Sequence, residues 1–222
     1  VNAGIIRAIE QGAQSAGYSI LLGDTQGLLE RERHYADLVT SGQADGILLF
    51  CSRMPFKVDP NMPLAGQIPP MVNANESMDN DEVVQVAVDN VAAAKTAVNY
   101  LIGEGHKRIA AITGPSDIPS SNERLQGYFD ALQEANIDID SDLQMAGDYT
   151  VDSGINCAEQ LLLLRKRPTA IFCFNDEMAI GVMKLLKKQG FLIPEDISVM
   201  GFDDIHYAEY VTPALTTVHQ PL

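Results

Sequence analysis

The chain has 222 residues, enough for one large domain or two modest ones, and its 46% hydrophobic and 20% charged residues make an ordinary globular balance. Fifteen Lys and Arg stand against thirty Asp and Glu, a formal charge of −15, so this chain alone should repel phosphate backbones and not hold DNA. No apolar run has the length of a membrane span and no secretory signal is visible, while three widely spaced cysteines, Cys51, Cys157 and Cys173, argue against a disulfide framework and suit a reducing cytosol.

Asn2 to Ala16 carries Ile5, Ile6, Ile9 and Ala13 at helical spacing, and Gly17 supplies the stop. Tyr18 to Leu22 reads as a strand ending at Gly23-Asp24. Gln26 to Ser41 reads as a helix, and Gly46 to Phe50 as the next strand. The proline-rich Cys51 to Pro70 has no clear period and reads as irregular loop. Met71 to Ala74 is a strand ending at Asn75-Glu76, and Val83 to Val88 is apolar again. Asp89 is placed to cap a helix over Asn90 to Glu104. Arg108 to Thr113 is a strand, followed by a loop that holds Ser116, Asp117, Ser120 and Ser121. Glu123 to Ala135 is helical. A short strand leads to Asp148-Tyr149, and Asp152 to Leu164 is helical. Ala170 to Phe174 and Ile197 to Phe202 are apolar runs of buried-strand type with a helix between them. They stop at Asn175-Asp176 and Asp203-Asp204. A helical turn over Ala208 to Tyr210 and a strand over Leu215 to Val218 close the pattern.

This alternation predicts an α/β fold with parallel sheets. It occurs twice, once before Asp89 and once after it. Two such lobes imply a bilobal protein with a ligand in the cleft between them. Ligands of open parallel sheets bind outside the carboxyl ends of the strands, which puts Asn175 and Asp203 at one edge.

Several chemistries lack their parts. There is no G-x-G-x-x-G and no Walker lysine loop to cradle phosphates, and no G-x-S-x-G nucleophile elbow. His34, His106, His206 and His219 are scattered away from the cysteines, so no metal site is expected. The carboxylates Asp176, Asp203 and Asp204 keep a paired-acid enzyme open as a minor reading. Arg124 reads either as a surface arginine or as a guanidinium reaching over the binding edge. Opposite Asp203 it would make a donor fork beside an acceptor pair, which suits vicinal hydroxyls. Tyr149 is either a rim aromatic or a stacking surface for a sugar or base. Asn175 either caps the helix that follows it or bonds a hydroxyl. Asp176 and Glu177, in that helix's first turn, favour its dipole.

The stretches GHKRIAAITGP (Gly105 to Pro115), RLQGYFDAL (Arg124 to Leu132), RPTAIFCFNDEMAIGVM (Arg167 to Met183), PEDISVMGFDD (Pro194 to Asp204) and TPALTTVHQP (Thr212 to Pro221) resemble the LacI/GalR family of bacterial transcription regulators. The match keeps order and spacing over nearly the whole chain. It implies two Rossmann-like lobes of periplasmic-binding-protein type, residues 1–88 and 89–217, with 218–222 crossing back toward the first. It implies an effector-binding, dimerising domain of a cytoplasmic repressor that is not an enzyme and needs no cofactor. Ligand closure would alter operator affinity through a DNA-binding headpiece. The family pattern also has that headpiece, a hinge and a first strand before Val1, and further elements after Leu222. CSRMPF (Cys51 to Phe56) and PPMVNANE (Pro69 to Glu76) look most like the cytidine-responsive subgroup, which implies a nucleoside effector, with a sugar as the other choice. Residue by residue, the resemblance assigns ligand contacts to Arg124, Asp203, Tyr149, Asn175, Asn75 and Ser120. Asn2 falls where many members carry an aromatic. A periplasmic sugar-binding protein without a DNA partner is the competing expectation.

Overall fold

The computed structural model describes residues 2–59, 61–80 and 82–221, with the backbone alone for residues 2 and 3, so the Asn2 side chain lies outside the described residues. The chain forms two compact units, Asn2–Val88 and a second that begins at Asp89.

In the first unit, α1 (Asn2–Ser15) and α2 (Leu29–Thr40) precede three strands, β1 (Ile47–Leu49), β2 (Met71–Ala74) and β3 (Val84–Val86). The strands form a parallel sheet in the order β1-β2-β3. Leu49, Leu64, Met78 and Val83 make its small buried core. Two elements depart from the sequence expectation. Helix α2 starts three residues later than the apolar spacing suggested, because Gln26 and Gly27 both take positive φ, 50° and 67°, and form a turn. Tyr18 to Leu22 is not a strand, and Tyr18, Leu21 and Leu22 are exposed. A strand needs a neighbour to take its N–H and C=O groups, and no described strand pairs with this stretch. The irregular segment after β1 is tied to α2 by Arg53, which donates from Nε and Nη2 to the buried Glu32 carboxylate at 2.8 Å each.

The second unit is a five-stranded parallel sheet in the order β5-β4-β6-β7-β8. Its elements are α3 (Asn90–Gly103), β4 (Ile109–Thr113), α4 (Pro119–Glu134), β5 (Gln144–Ala146), α5 (Val151–Leu163), β6 (Ala170–Cys173), α6 (Asp176–Lys188), β7 (Ser198–Asp203) and β8 (Thr216–His219). A short 3₁₀ turn, His206–Ala208, lies between β7 and β8. Strands β4 and β6 are apolar without alternation and buried along almost their whole length, as strands covered on both faces must be. Helix α3 packs on α4, and α5 on α6. Glycines allow those approaches: a Cβ at Gly127 would collide with the Val91 carbonyl, and one at Gly181 with the Val151 carbonyl.

Helix α4 begins at Pro119, four residues before the expected start. Proline suits the first helical position, where no N–H partner is needed and φ is already helical. Ser120 and Ser121 are therefore buried residues of a helical first turn and not loop residues. Strand order reverses between β4 and β6. Such a reversal opens a crevice beyond the carboxyl ends of the two strands, the place where doubly wound sheets take their ligands.

Candidate functional site

At the carboxyl edge of this sheet each strand hands over to a different local structure. After β6, Asn175 caps α6: its Oδ1 accepts the Met178 N–H at 2.9 Å, and its Nδ2 donates to the Tyr149 carbonyl at 2.9 Å. Both ends of the amide are thus engaged within the protein. After β5, Asp148 accepts the Thr150 hydroxyl at 2.6 Å and the Thr150 N–H at 2.9 Å. Those bonds, the hydroxyl first, hold its carboxyl below the usual range. Tyr149 follows with φ 69°. Its ring lies on Gly114 at the end of β4, where a Cβ would collide with it. Of the two roles open to Tyr149, rim aromatic or stacking face, neither describes its position fully: the ring packs on the strand end and against the core.

At the end of β7 the chain takes two consecutive left-handed residues, Asp203, the strand's last residue, at φ 114° and Asp204 at φ 54°. Residues other than glycine are strained there, and such strain gathers at functional sites. The Asp203 carboxylate stands 3.7 Å from the Arg124 guanidinium. Arg124 comes from the second turn of α4 and is only 7% exposed. Its Nε donates to Asn90 Oδ1 at 2.9 Å, its Nη1 donates to the Phe174 carbonyl, and its Cζ lies 3.7 Å from the centre of the Phe202 ring. Asp203 also accepts from Gln220 Nε2 at 2.6 Å. Burial pushes the Asp203 carboxyl up, while Arg124 and then Gln220 pull it down. The pair thus offers guanidinium donors beside carboxylate acceptors, mostly shielded from water, an arrangement that can take the two faces of a diol.

The remaining acids differ. Asp204 pairs with His219 Nδ1 at 2.8 Å on the surface. Asp176 is completely buried and accepts the Thr217 hydroxyl at 2.5 Å and the Ile205 N–H at 2.8 Å. Its carboxyl is pushed up to about 6, chiefly by burial. Gly201 makes room for it, because a Cβ there would collide with Asp176 Oδ1. Asp176 does stand in the first turn of α6, where an acid favours the helix dipole, and it is also the anchor that ties α6 to β8 and to the turn after β7.

Arg124, Asp203, Asn175 and Tyr149 therefore meet at one sheet edge, joined through Phe174 and the Asn175–Tyr149 bond. Ser120 sits one turn ahead of Arg124 on α4, 5% exposed. Asn75 belongs to the first unit, at the end of β2, with φ 75° and its N–H on the Val86 carbonyl at 2.9 Å. Sequence reading missed Asn90, Phe202 and Gln220 as partners of the charged pair. Among the described residues no group of His, Cys, Asp and Glu is placed to hold a metal ion, and no helix is long and apolar enough to cross a membrane.

The sequence profile of the periplasmic binding protein-like domain matches residues 98–222. The chain is 43% identical over 217 residues to the HTH-type transcriptional repressor CytR of Escherichia coli K12, covering 98% of this chain and 63% of that protein. It is 37% identical to the repressor PurR of Vibrio atlanticus, covering 98% of this chain and 65% of that protein. A sugar-binding transcriptional regulator of the LacI family from Escherichia coli, solved in complex with phosphate, superposes with a TM-score of 0.84 at 32% identity, over 99% of this chain and 78% of that one. The chain belongs to the LacI family of transcriptional regulators. Its α/β fold with two sets of parallel strands is the family's periplasmic-binding-protein-like fold. This LacI-family chain spans less than two thirds of the length of the two repressors.

Proposed function

We propose that the chain is the effector-binding and dimerising part of a cytoplasmic DNA-binding repressor. It senses a small hydroxylated ligand, with a nucleoside such as cytidine favoured over a sugar, and ligand binding alters the operator affinity of the full protein. The observation that carries this reading is the Arg124–Asp203 pair, 3.7 Å apart and largely buried at the carboxyl edge of the sheet. Donor and acceptor side by side receive a ligand that both donates and accepts, as ribose hydroxyls do. Asn175, Tyr149 and Ser120 line the same edge, and Asn75 belongs to the set through the family resemblance. The loops Cys51 to Phe56 and Pro69 to Glu76 support the nucleoside. The sugar-binding relative of known structure supports the alternative.

A periplasmic binding protein would use the same fold. Identity to two DNA-binding repressors across 98% of the chain favours the repressor. Of the acids at this edge, Asp176 is engaged by Thr217 and Ile205 and Asp204 by His219, which supports a reading in which ligand is bound and released unchanged.

A melting screen of the recombinant chain with cytidine, uridine, adenosine, ribose and hexoses tests the reading. At a hundredfold excess over Kd a ligand adds about 2.7 kcal/mol, a rise of roughly 5 to 10 °C for a chain of this size. Cytidine should produce it. A pentose or hexose that raises Tm while every nucleoside leaves it unchanged would overturn the nucleoside assignment.

A further inference from the structure

Arg124 and Asp203 do not hold their places unaided. The Arg124 guanidinium is fixed in its plane by three contacts of different kinds: Nε on Asn90 Oδ1, Nη1 on the Phe174 carbonyl, and the Phe202 ring across its face. Asn90 is itself locked, because its Nδ2 donates to Glu123 Oε2 at 2.8 Å and its side chain is buried. That bond fixes which end of the amide faces Arg124. Asn90 is the first residue of α3, and the Asp89 carboxylate caps that helix through the Ala92 N–H at 2.9 Å. The chain passes from the first unit to the second between Val88 and Asp89. On the other side of the pair, Gln220 is 4% exposed and donates to Asp203 Oδ1 at 2.6 Å. Gln220 directly follows β8, whose last residue, His219, is in register with Asp203.

We propose that Asn90 and Gln220 are positioning residues: they set the Arg124 guanidinium and the Asp203 carboxylate in their ligand-receiving geometry before the ligand arrives, and Asn90 ties that geometry to the passage from one unit to the next. This rests on the reading of Arg124 and Asp203 as ligand contacts. Long charged side chains lose rotamer freedom on binding, and a site that has already ordered them binds more tightly for the same contacts. Each anchor uses the one bond type its partner can make: an acceptor for guanidinium, a donor for carboxylate. The alternative is that both amides only satisfy buried polar groups, with no effect on the ligand.

The test uses the full chain in ligand-free and cytidine-bound states. In the free chain, Arg124 Nε–H should exchange slowly with solvent. Asn90→Ala should speed that exchange at least tenfold, and Asn90→Asp combined with Glu123→Gln, which keeps the acceptor for Arg124 and reverses the bond to residue 123, should restore it. Gln220→Met keeps the volume and removes the donor. It should shift the titration of the Asp203 carboxyl carbon to higher pH. The groups facing that carboxyl, Arg124, Glu177, Asp176 and the neighbouring Asp204, are unchanged in this variant. Cytidine Kd should rise about tenfold in Asn90→Ala and in Gln220→Met, and its loss toward acid should begin at higher pH in the second. Unaltered Nε–H exchange and Asp203 titration in folded variants would overturn the proposal, as would altered signatures with unchanged Kd. If the wild-type chain does not bind cytidine, the nucleoside reading falls, and the two spectroscopic signatures decide the positioning role on their own.

Discussion

Strand β6 runs out into Asn175-Asp176, and β7 runs out into Asp203-Asp204. Both are short apolar strands of the same parallel sheet, and both end in a polar pair at the same edge. After β6 a helix begins at once. Its first N–H groups need acceptors, so Asn175 becomes a cap and Asp176 is drawn under the sheet to hold Thr217 and Ile205. After β7 no α-helix begins; a short 3₁₀ turn follows only at His206. Two left-handed residues turn the chain, and Asp203 comes to rest beside Arg124 with part of its carboxylate still accessible. The element that succeeds a strand decides whether the strand's terminal acid is locked into the fold or left partly accessible.

Four substitutions would break or sharpen that contrast, the largest effect first. Gly201→Ala sets a methyl on the Asp176 carboxylate. It should destabilise the chain by about 4 kcal/mol, as over-packing at a buried charged anchor does, with the loss read by urea denaturation. Asp203→Asn keeps the bond to Gln220 but removes charge and an acceptor. Cytidine affinity should fall by about 3 kcal/mol, or more than a hundredfold, while Tm of the free chain stays within a few degrees; calorimetry and melting separate the two. If instead stability collapses and affinity survives, the roles of the two strand ends are reversed.

The third concerns pH. Burial raises the Asp176 carboxyl to about 6 in the folded chain, above its unfolded value. The folded state therefore binds the proton more tightly. Stability from this group is complete below the ordinary carboxylate range and is lost as pH rises through about 6. Between pH 7 and pH 4 the wild-type chain should gain about 2 kcal/mol from this group, and Asp176→Asn should lack that gain in the difference between the two denaturation curves. Asn175→Ala is the smallest: loss of the cap should cost about 1 kcal/mol, measured by the same denaturation.

The fold was legible in the sequence where burial is two-sided. The apolar cores of β4 and β6 stand out because nothing polar interrupts them. Helix starts were harder: Gln26 and Gly27 delay α2, and Pro119 advances α4, each for reasons of backbone φ that hydrophobic spacing does not carry. Tyr18 to Leu22 had a strand's composition but found no partner among the described residues, and pairing is not written in the stretch itself. The meeting of Arg124 and Asp203 was one of two readings of the arginine, suggested by strand-end placement and donor–acceptor chemistry. The 3.7 Å pair and the burial of Arg124 set aside the surface reading. Asn90 and Gln220 were not legible: they meet their partners from 34 and 17 residues away, with no period to announce it. Asn175 had two readings, and its amide geometry shows the cap.

The order of the strands also has a consequence for synthesis. A protein emerges from the ribosome amino end first, and contacts between distant segments form only when both are present. Thr217 and Gln220, which complete the surroundings of Asp176 and Asp203, come from the strand at the far edge of the sheet and just after it. Until they leave the exit tunnel, the nascent chain carries an unfinished site and a buried acid without its hydroxyl partner. The surroundings of both acids would be complete only once residues 217–220 have emerged.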